Sequence, residues 1–554
     1  MLKVLTRLAL LGHKKSRRQE GPTQGPRAPQ WGWYLAVLAA LAVGLFLHHR
    51  FFHDDAFITL RYAQRFLDGK GFTWNDGEHV EGFSNPFWLG QILILNYLGV
   101  PLTVSAQVLG LCYSFAILWL WHRAKADPVG LLALVTVPGF TIWAWGGLET
   151  LGAGFWILFS MFLVWKMQFN SAPTSRGILL GCALAAIALI RPEGILVSVV
   201  LLGVAIHFRR ARSQVVAGLT LVVIYGAYES YRLVYFGDWI ANAARAKVLN
   251  LPMRPRMVDA VTYLTQSSRE WLAAVLVTAF LIICSSDRRR ISILLLSSLP
   301  LLGVIVAGGG DHMVGARFML VPVAMVCLAG SFARPAHHPG LRVVAEVSVV
   351  LVAIWQLHLS WRFPAERNPA AAIGEWVGRT FEERLPPGTL VALATAGSVP
   401  YFAPSLAFID TLGINDRHIA RKRPSTLPRV LETADNWFEI PGHRRGDGRY
   451  VLSRHPDIVM LGGAQGELEP LFLGDYEIVL MEAFRANFSP WRFFISVPAR
   501  YQPWVSDFVD PTTGQLPITL YVRRNSRVWD TIAKQSLPLL PPWIRENHPA
   551  SESR

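Results

Sequence analysis

Apolar runs long enough to cross, or nearly cross, a hydrocarbon layer of about 30 Å recur along the first two thirds of the chain. They start near residues 31, 86, 128, 150, 177, 193, 214, 271, 290, 318 and 341. In lipid every backbone polar group must be satisfied internally, so such a recurrence leads to a bundle of membrane helices. Composition agrees: of 554 residues, 52% are hydrophobic and 16% charged, against about 25% charged in a soluble domain. An ordinary cytosolic enzyme is disfavoured on that ground.

The net charge is +15, and it is unevenly placed: residues 1–360 hold 31 basic and 17 acidic side chains, whereas residues 361–554 hold 22 and 21. A nucleic-acid binder would gather its positive charge on a folded face with a reading module. None is present, so no nucleic-acid partner is expected. Membrane loops are the better home for this charge, and basic loops mark the cytoplasmic side. Lys3, Arg7, Lys14, Lys15, Arg17, Arg18 and Arg27 precede the first apolar run with Glu20 as the only acid, which predicts a cytoplasmic tail over 1–30 and an uncleaved first span. Basic links at 122–125, 166–176, 209–212, 288–290 and 334–342 are placed inside; the links 52–86, 146–150, 191–194, 235–270 and 308–317, rich in carboxylates, glycine and aromatics, are placed outside. Residues 86–121 have the length of two crossings, but the alternation needs an odd number, so one crossing plus a shallow surface helix is expected. The prediction is eleven spans over 31–359, with the N-terminus inside and the C-terminus outside.

Beyond residue 360 the pattern changes to short β-rich runs (389–395, 406–409, 457–461, 493–497) separated by Pro, Gly and charged turns. The expected fold class is therefore a polytopic α-helical membrane protein with a C-terminal extracytoplasmic mixed α/β domain over 360–554. Cys112, Cys182, Cys284 and Cys327 all lie in the apolar part, so this exported domain has no disulfides and depends on its own core.

Chemistry concentrates in the first external loop, residues 50–86. Asp54 and Asp55 stand side by side at a membrane boundary, where mutual repulsion and lost hydration are costly unless a cation, a proton or a substrate hydroxyl offsets them. They are a candidate general base; the bland alternative is an acidic first helical turn. Arg245, Lys247, Arg254 and Arg256 crowd a second external loop and Arg317 stands at the mouth of another, a cation set suited to a departing phosphate or to lipid headgroups. Glu149, Arg191 and Glu193 sit beside short spans, where pairing with each other or with substrate is required. Asp311 follows three glycines, which permit a sharp turn or close backbone approach.

The segments Asp54-Asp55-Ala56-Phe57-Ile58, Gly71 to Asn75 and Glu81-Gly82-Phe83-Ser84-Asn85-Pro86 resemble those of the GT-C glycosyltransferases, multi-span enzymes that use polyprenyl-phosphate sugars. Within that class they look closest to the mycobacterial terminal arabinofuranosyltransferase and its bacterial relatives. Gly147 to Thr150, Arg191 to Gly194, Asn242 to Lys247, Gly309 to Met313 with Arg317-Phe318, and Asp410 to Asp416 extend the resemblance to residues 50–425. It implies an inverting transfer of a sugar, arabinofuranose, to a glycan, lipid or protein acceptor outside the cytoplasmic (inner) membrane of a bacterium. Asp54 and Asp55 are then catalytic, with Asp54 as the base. Arg245, Lys247, His312 and Arg317 hold the donor phosphate; Glu81, Asn85, Glu149, Arg191, Glu193, Asn242, Asp311 and Asp416 contact substrate. No cofactor is required, and a divalent cation is left open. Two other classes compete: a transporter or flippase of lipid-linked sugars, whose ligand groups would lie near the bilayer midplane in repeated halves, and an anchored binding domain, for which eleven spans are excessive.

Overall fold

The computed structural model describes residues 30–169, 173–208, 212–249, 253–283, 288–332, 339–362, 368–423, 443–496, 508–510, 513–533 and 537–538. The basic tail up to residue 29, Arg209-Arg210, Arg334, Cys284 and the last residue of the run 493–497 lie outside them.

Four described helices are long and apolar enough to cross a membrane: Trp31–His48, Leu102–Arg123, Thr150–Met167 and Gly340–Arg362. Thr174–Ile190, Gly194–His207, Ser297–Gly308 and Arg317–Ser331 are apolar but shorter. Helix length alone thus does not carry a count of eleven. The run at 86–121 divides into a short and a long helix as expected, Pro86–Tyr97 and Leu102–Arg123, because Gly99 takes a positive φ and Pro101 has no N–H to continue a helix. Two later segments depart from the sequence expectation. The run starting at 128 is Pro128–Val135 and Pro138–Trp145, bent by 66°, since Pro138 disfavours helical backbone at Val137. The helix expected from 271 begins at Met253, so Arg254 and Arg256 belong to its first turn rather than to a loop.

Small residues let the bundle close. A Cβ on Gly139 would sit 1.9 Å from the carbonyl oxygen of Gly315, so the loop before Arg317 rests directly on the elbow formed by the bent pair. Trp143, on the second arm of that elbow, donates its indole N–H to the Val314 carbonyl at 3.1 Å.

After the helix Pro369–Arg384 the chain builds a six-stranded sheet from β1 (Leu390–Leu393), β2 (Ala407–Asp410), β3 (Ile458–Val459), β4 (Phe488–Ser496), β5 (Gln515–Arg523) and β6 (Leu537–Pro538). The order is β2-β1-β3-β5-β4-β6. β1 runs parallel to β2 and β3, and the β3–β5, β5–β4 and β4–β6 pairs are antiparallel. Successive side chains alternate faces: Val391, Leu393, Phe408 and Ile458 join the core shared with the helical bundle. Ala392, Ile409, Val459 and Tyr521 form a second core with Val451, Ile478 and Phe484.

The segment 50–86 fastens this domain to the bundle. Arg61, on the helix Asp54–Leu67, is buried and donates to the carbonyls of Trp74 (3.0 Å), Pro400 and Leu406 (3.5 Å). Asn75 pairs with both backbone groups of Phe408 in β2, donating at 2.7 Å and accepting at 3.1 Å. Charged hydrogen bonds contribute about 1.5–3 kcal/mol each, and removing the donor strands buried carbonyls. Arg61→Ala should therefore lower the thermal unfolding midpoint and raise hydrogen exchange in β1 and β2; unchanged exchange there would show that the guanidinium is not what holds the two parts together.

Candidate functional site

The helix Asp54–Leu67 opens with its two carboxylates, and the cap is supplied by the preceding residue: the His53 ring accepts from the Asp55 N–H at 3.2 Å. Acids in a first turn are stabilised by the helix dipole, so the acidic-turn reading and the active-site reading describe the same residues. The pair nevertheless divides. Asp54 points toward the C-terminal domain, where Ser398 donates both its N–H, at 2.9 Å, and its hydroxyl to Oδ1. Gly397 makes that approach feasible, for a Cβ there would lie 2.2 Å from the Asp54 carbonyl oxygen. Asp55 turns outward, with its side chain 25% exposed and Oδ2 3.3 Å from Lys247 Nζ.

Their electrostatics diverge accordingly. Burial pushes the Asp54 carboxyl up to about 6, against the pull of the Ser398 hydrogen bonds. Burial also acts to raise Asp55, but Lys247, His53, His312 and Arg317 outweigh it and hold this carboxyl well below the usual carboxylate range. Burial takes His53 down to about 4 and lowers His312 as well. Both imidazoles are thus neutral near pH 7, which leaves Lys247 and Arg317 as the effective counter-charges.

Asp311, His312 and Arg317 close the other side. Gly309 and Gly310 both take positive φ, and the turn they make puts Asp311 2.9 Å from Arg317 Nε and 3.8 Å from the His312 ring. Burial raises the Asp311 carboxyl, yet Arg317, His312 and Lys247 together bring it below its ordinary value. The Arg317 guanidinium lies over the Trp143 ring at 5.3 Å and the Phe318 ring at 5.0 Å. Asp54, Asp55, Lys247, Asp311, His312 and Arg317 therefore converge.

A second chain of contacts adjoins them. Thr59 donates to Asn85, Asn85 donates to Glu149 at 2.9 Å, and Glu149 pairs with Arg191 at 3.0 Å, which also holds Glu193. Arg191 covers the Phe318 ring at 4.7 Å. Arg191, Glu193, Arg317 and Thr150 line a small crevice together with apolar side chains that include Ile157, Ile187, Ile190, Val197 and Ile305.

Four further expected ligand residues make contacts of their own. Glu81 is buried and held by Arg232 at 2.7 Å and the Tyr228 hydroxyl at 2.6 Å. Asn242 gives its amide to the carbonyls of Gly413, Ile414 and Asp416. Asp416 caps the helix Arg417–Arg421 through the Ile419 N–H at 2.9 Å. Arg245 faces Asp238 at 2.6 Å rather than Asp55. Each of these side chains has partners within the fold, and Asp416 alone of the four also borders an open cleft. His53, Trp143 and Ser398 were not singled out from sequence; only His53 carried a signal, its place before the acids. Among the described residues no three His, Cys, Asp or Glu side chains are grouped to hold a metal ion.

The fold is shared with ArnT from Cupriavidus metallidurans in its apo state, which superposes with a TM-score of 0.50, at 11% identity, over 89% of this chain and 98% of that one. In sequence the chain is similar to two curated proteins named terminal β-(1→2)-arabinofuranosyltransferase. The Mycobacterium tuberculosis protein is 30% identical over 224 residues, 36% of this chain and 35% of the relative. The Corynebacterium glutamicum protein is 25% identical over 364 residues, 55% and 52% respectively. The matches span about half the length of these relatives or less. A family model described as a domain of unknown function (DUF8728) matches residues 359–510.

The Asp54 environment sets a stability prediction. Its folded value of about 6 lies above the 3.8 of the free carboxyl, so the fold binds this proton more tightly than the unfolded chain does. That stabilisation is complete below pH 3.8 and is lost as pH rises through about 6. Asp54→Asn should then unfold at the wild-type temperature or higher at pH 7.5, with its advantage shrinking toward pH 4; a lower midpoint at pH 7.5 would contradict the buried-charge reading.

Proposed function

We propose that the protein is an inverting glycosyltransferase that moves arabinofuranose from a polyprenyl-phosphate donor to a cell-envelope glycan on the extracytoplasmic face of a bacterial inner membrane. The observation that carries this reading is the meeting of the Asp54/Asp55 pair with Lys247 and Arg317, the last of which also lines a mostly apolar crevice. A lipid-borne phosphodiester has that same division, an anionic head on a hydrocarbon tail. The relatives' names support the sugar, and ArnT, whose fold is shared, is a protein solved with undecaprenyl phosphate.

In the proposed reaction Lys247 and Arg317 bind the donor phosphate by charge-assisted hydrogen bonds, and Arg191 stands where the head meets the tail. The crevice, about 40 Å³, is too small for a prenyl chain, so the helices Thr174–Ile190 and Gly194–Phe208 part from Arg288–Gly308 to admit one. Asp54 takes the proton of the acceptor hydroxyl as its oxygen bonds to the anomeric carbon from the face opposite the phosphate. The anomeric C–O bond breaks, its electron pair stays on the phosphate, and Lys247 and Arg317 stabilise that charge. A carboxyl near 6 is a stronger base than an ordinary aspartate and is still ionised at neutral pH. Asp55 holds Lys247 in place until the phosphate competes for it. No step runs through a metal ion.

Purified full-length protein in nanodiscs, supplied in turn with several polyprenyl-phosphate sugars and an arabinofuranose oligosaccharide, tests this. The expected result is consumption of the arabinofuranose donor with inversion at the anomeric carbon. Asp54→Asn should reduce transfer roughly 10²- to 10⁴-fold, the range for a lost general base. Lys247→Ala and Arg317→Ala should each lose on the order of 10²- to 10³-fold. Wild-type transfer should fall as pH drops through about 6, where Asp54 takes up its proton. Full activity in Asp54→Asn, or movement of intact donor across the bilayer without transfer, would overturn the assignment.

A further inference from the structure

An open cleft of about 860 Å³ separates residues 77–80 from the C-terminal segments 415–422 and 447–454. Arg454 pairs with Glu78 at 2.9 Å, Lys422 and His418 both reach Asp447, at 3.3 and 2.9 Å, Arg421 reaches Asp238 at 2.8 Å, and Arg417 donates to the carbonyls of His79 and Phe236. The His418 ring stacks on Tyr450, with centroids 4.1 Å apart and planes 15° from parallel, and Arg454 lies over the Tyr450 ring at 5.7 Å. His418 is 53% exposed, so the outer surface of the imidazole is left open.

An anion seeks uncompensated cations. Here Arg454, Lys422 and Arg421 are paired with carboxylates and Arg417 is occupied by backbone carbonyls, so donors and acceptors stand side by side, a pattern suited to neighbouring sugar hydroxyls, which both give and accept hydrogen bonds. A flat ring held rigid from behind suits the apolar C–H face of a sugar. The cleft is also tied to the reaction site. Its floor includes Asn415 and Asp416, and the Asp416 carbonyl accepts from Asn242, the first residue of the helix Asn242–Lys247. At 1.5 Å per residue that helix is about 9 Å long, so the cleft and Lys247 are separated by a few sugar units.

We propose that this cleft is a subsite for a neutral glycan, holding the acceptor chain several residues away from its growing end. The proposal rests on the glycosyltransferase reading and assigns the acceptor's distal contacts. The probes are linear arabinofuranose hexasaccharide and disaccharide, with full-length protein in nanodiscs. His418→Ala and Arg454→Ala should each raise KM for the hexasaccharide roughly tenfold at unchanged kcat and leave disaccharide kinetics as in wild type, the split expected of a remote binding contact. Equal effects on both acceptors, or no effect on either, would overturn the subsite. Binding alone separates this proposal from the reaction it extends: saturation-transfer NMR of the hexasaccharide with Asp54→Asn protein should show contact that His418→Ala removes, whether or not any sugar donor is consumed. Contact that persists in His418→Ala, or that anionic vesicles displace, would overturn it.

Discussion

The site exists only where two halves of the chain meet, and burial of polar groups holds them there. Arg61 reaches across to carbonyls at Pro400 and Leu406, Asn75 pairs with the backbone of β2, and Ser398 grips Asp54. Such groups are costly when left unpaired away from water, so the loop at 50–86 and the C-terminal domain are each other's means of satisfaction. The loop is thus both the segment that carries the aspartate pair and the fastening. A carboxylate at the start of its helix is fixed from one side by the membrane part and from the other by the sheet.

That double attachment separates two adjacent aspartates that would otherwise be equivalent. Neighbouring residues at a helix start project in different directions, and here one direction leads into a protein interface and the other toward Lys247. The result is one carboxyl raised by burial and one lowered by cations. Pairs of titratable groups driven apart in this way are how a single site obtains distinct acid and base roles near neutral pH. The neutral imidazoles of His53 and His312 add polarity without adding charge that would compete with Lys247 for a phosphate.

Much of the site was legible in the sequence because charged residues beside apolar runs have few places to go. Asp54, Asp55, Lys247, Asp311 and Arg317 each fall at the edge of an apolar segment, and the fold gathers them. At Glu81, Asn242, Arg245 and Asp416 the same reasoning did not foresee the hydrogen bonds and ion pairs these side chains make within the fold. A polar residue in a loop bordering a membrane is equally suited to binding the chain's own backbone, and nothing local distinguishes a staple from a ligand contact. Ser398 and Arg61 were silent for a different reason: their partners lie more than 300 residues away, and no short pattern encodes such a pairing. The elbow at Pro138 was written in the Val-Pro-Gly run but masked by the hydropathy of its surroundings.

The contact between Gly139 and Gly315 has a consequence for how this scaffold can vary. Each occupies the space that a methyl group on the other would need, and the loop pressed onto the elbow there delivers Arg317 to its station over Trp143. A gain of bulk at either position would lift the Arg317 guanidinium off its aromatic seat while leaving every charged group intact. Drift in the chemistry of this protein can therefore begin at two residues that carry no functional atom at all.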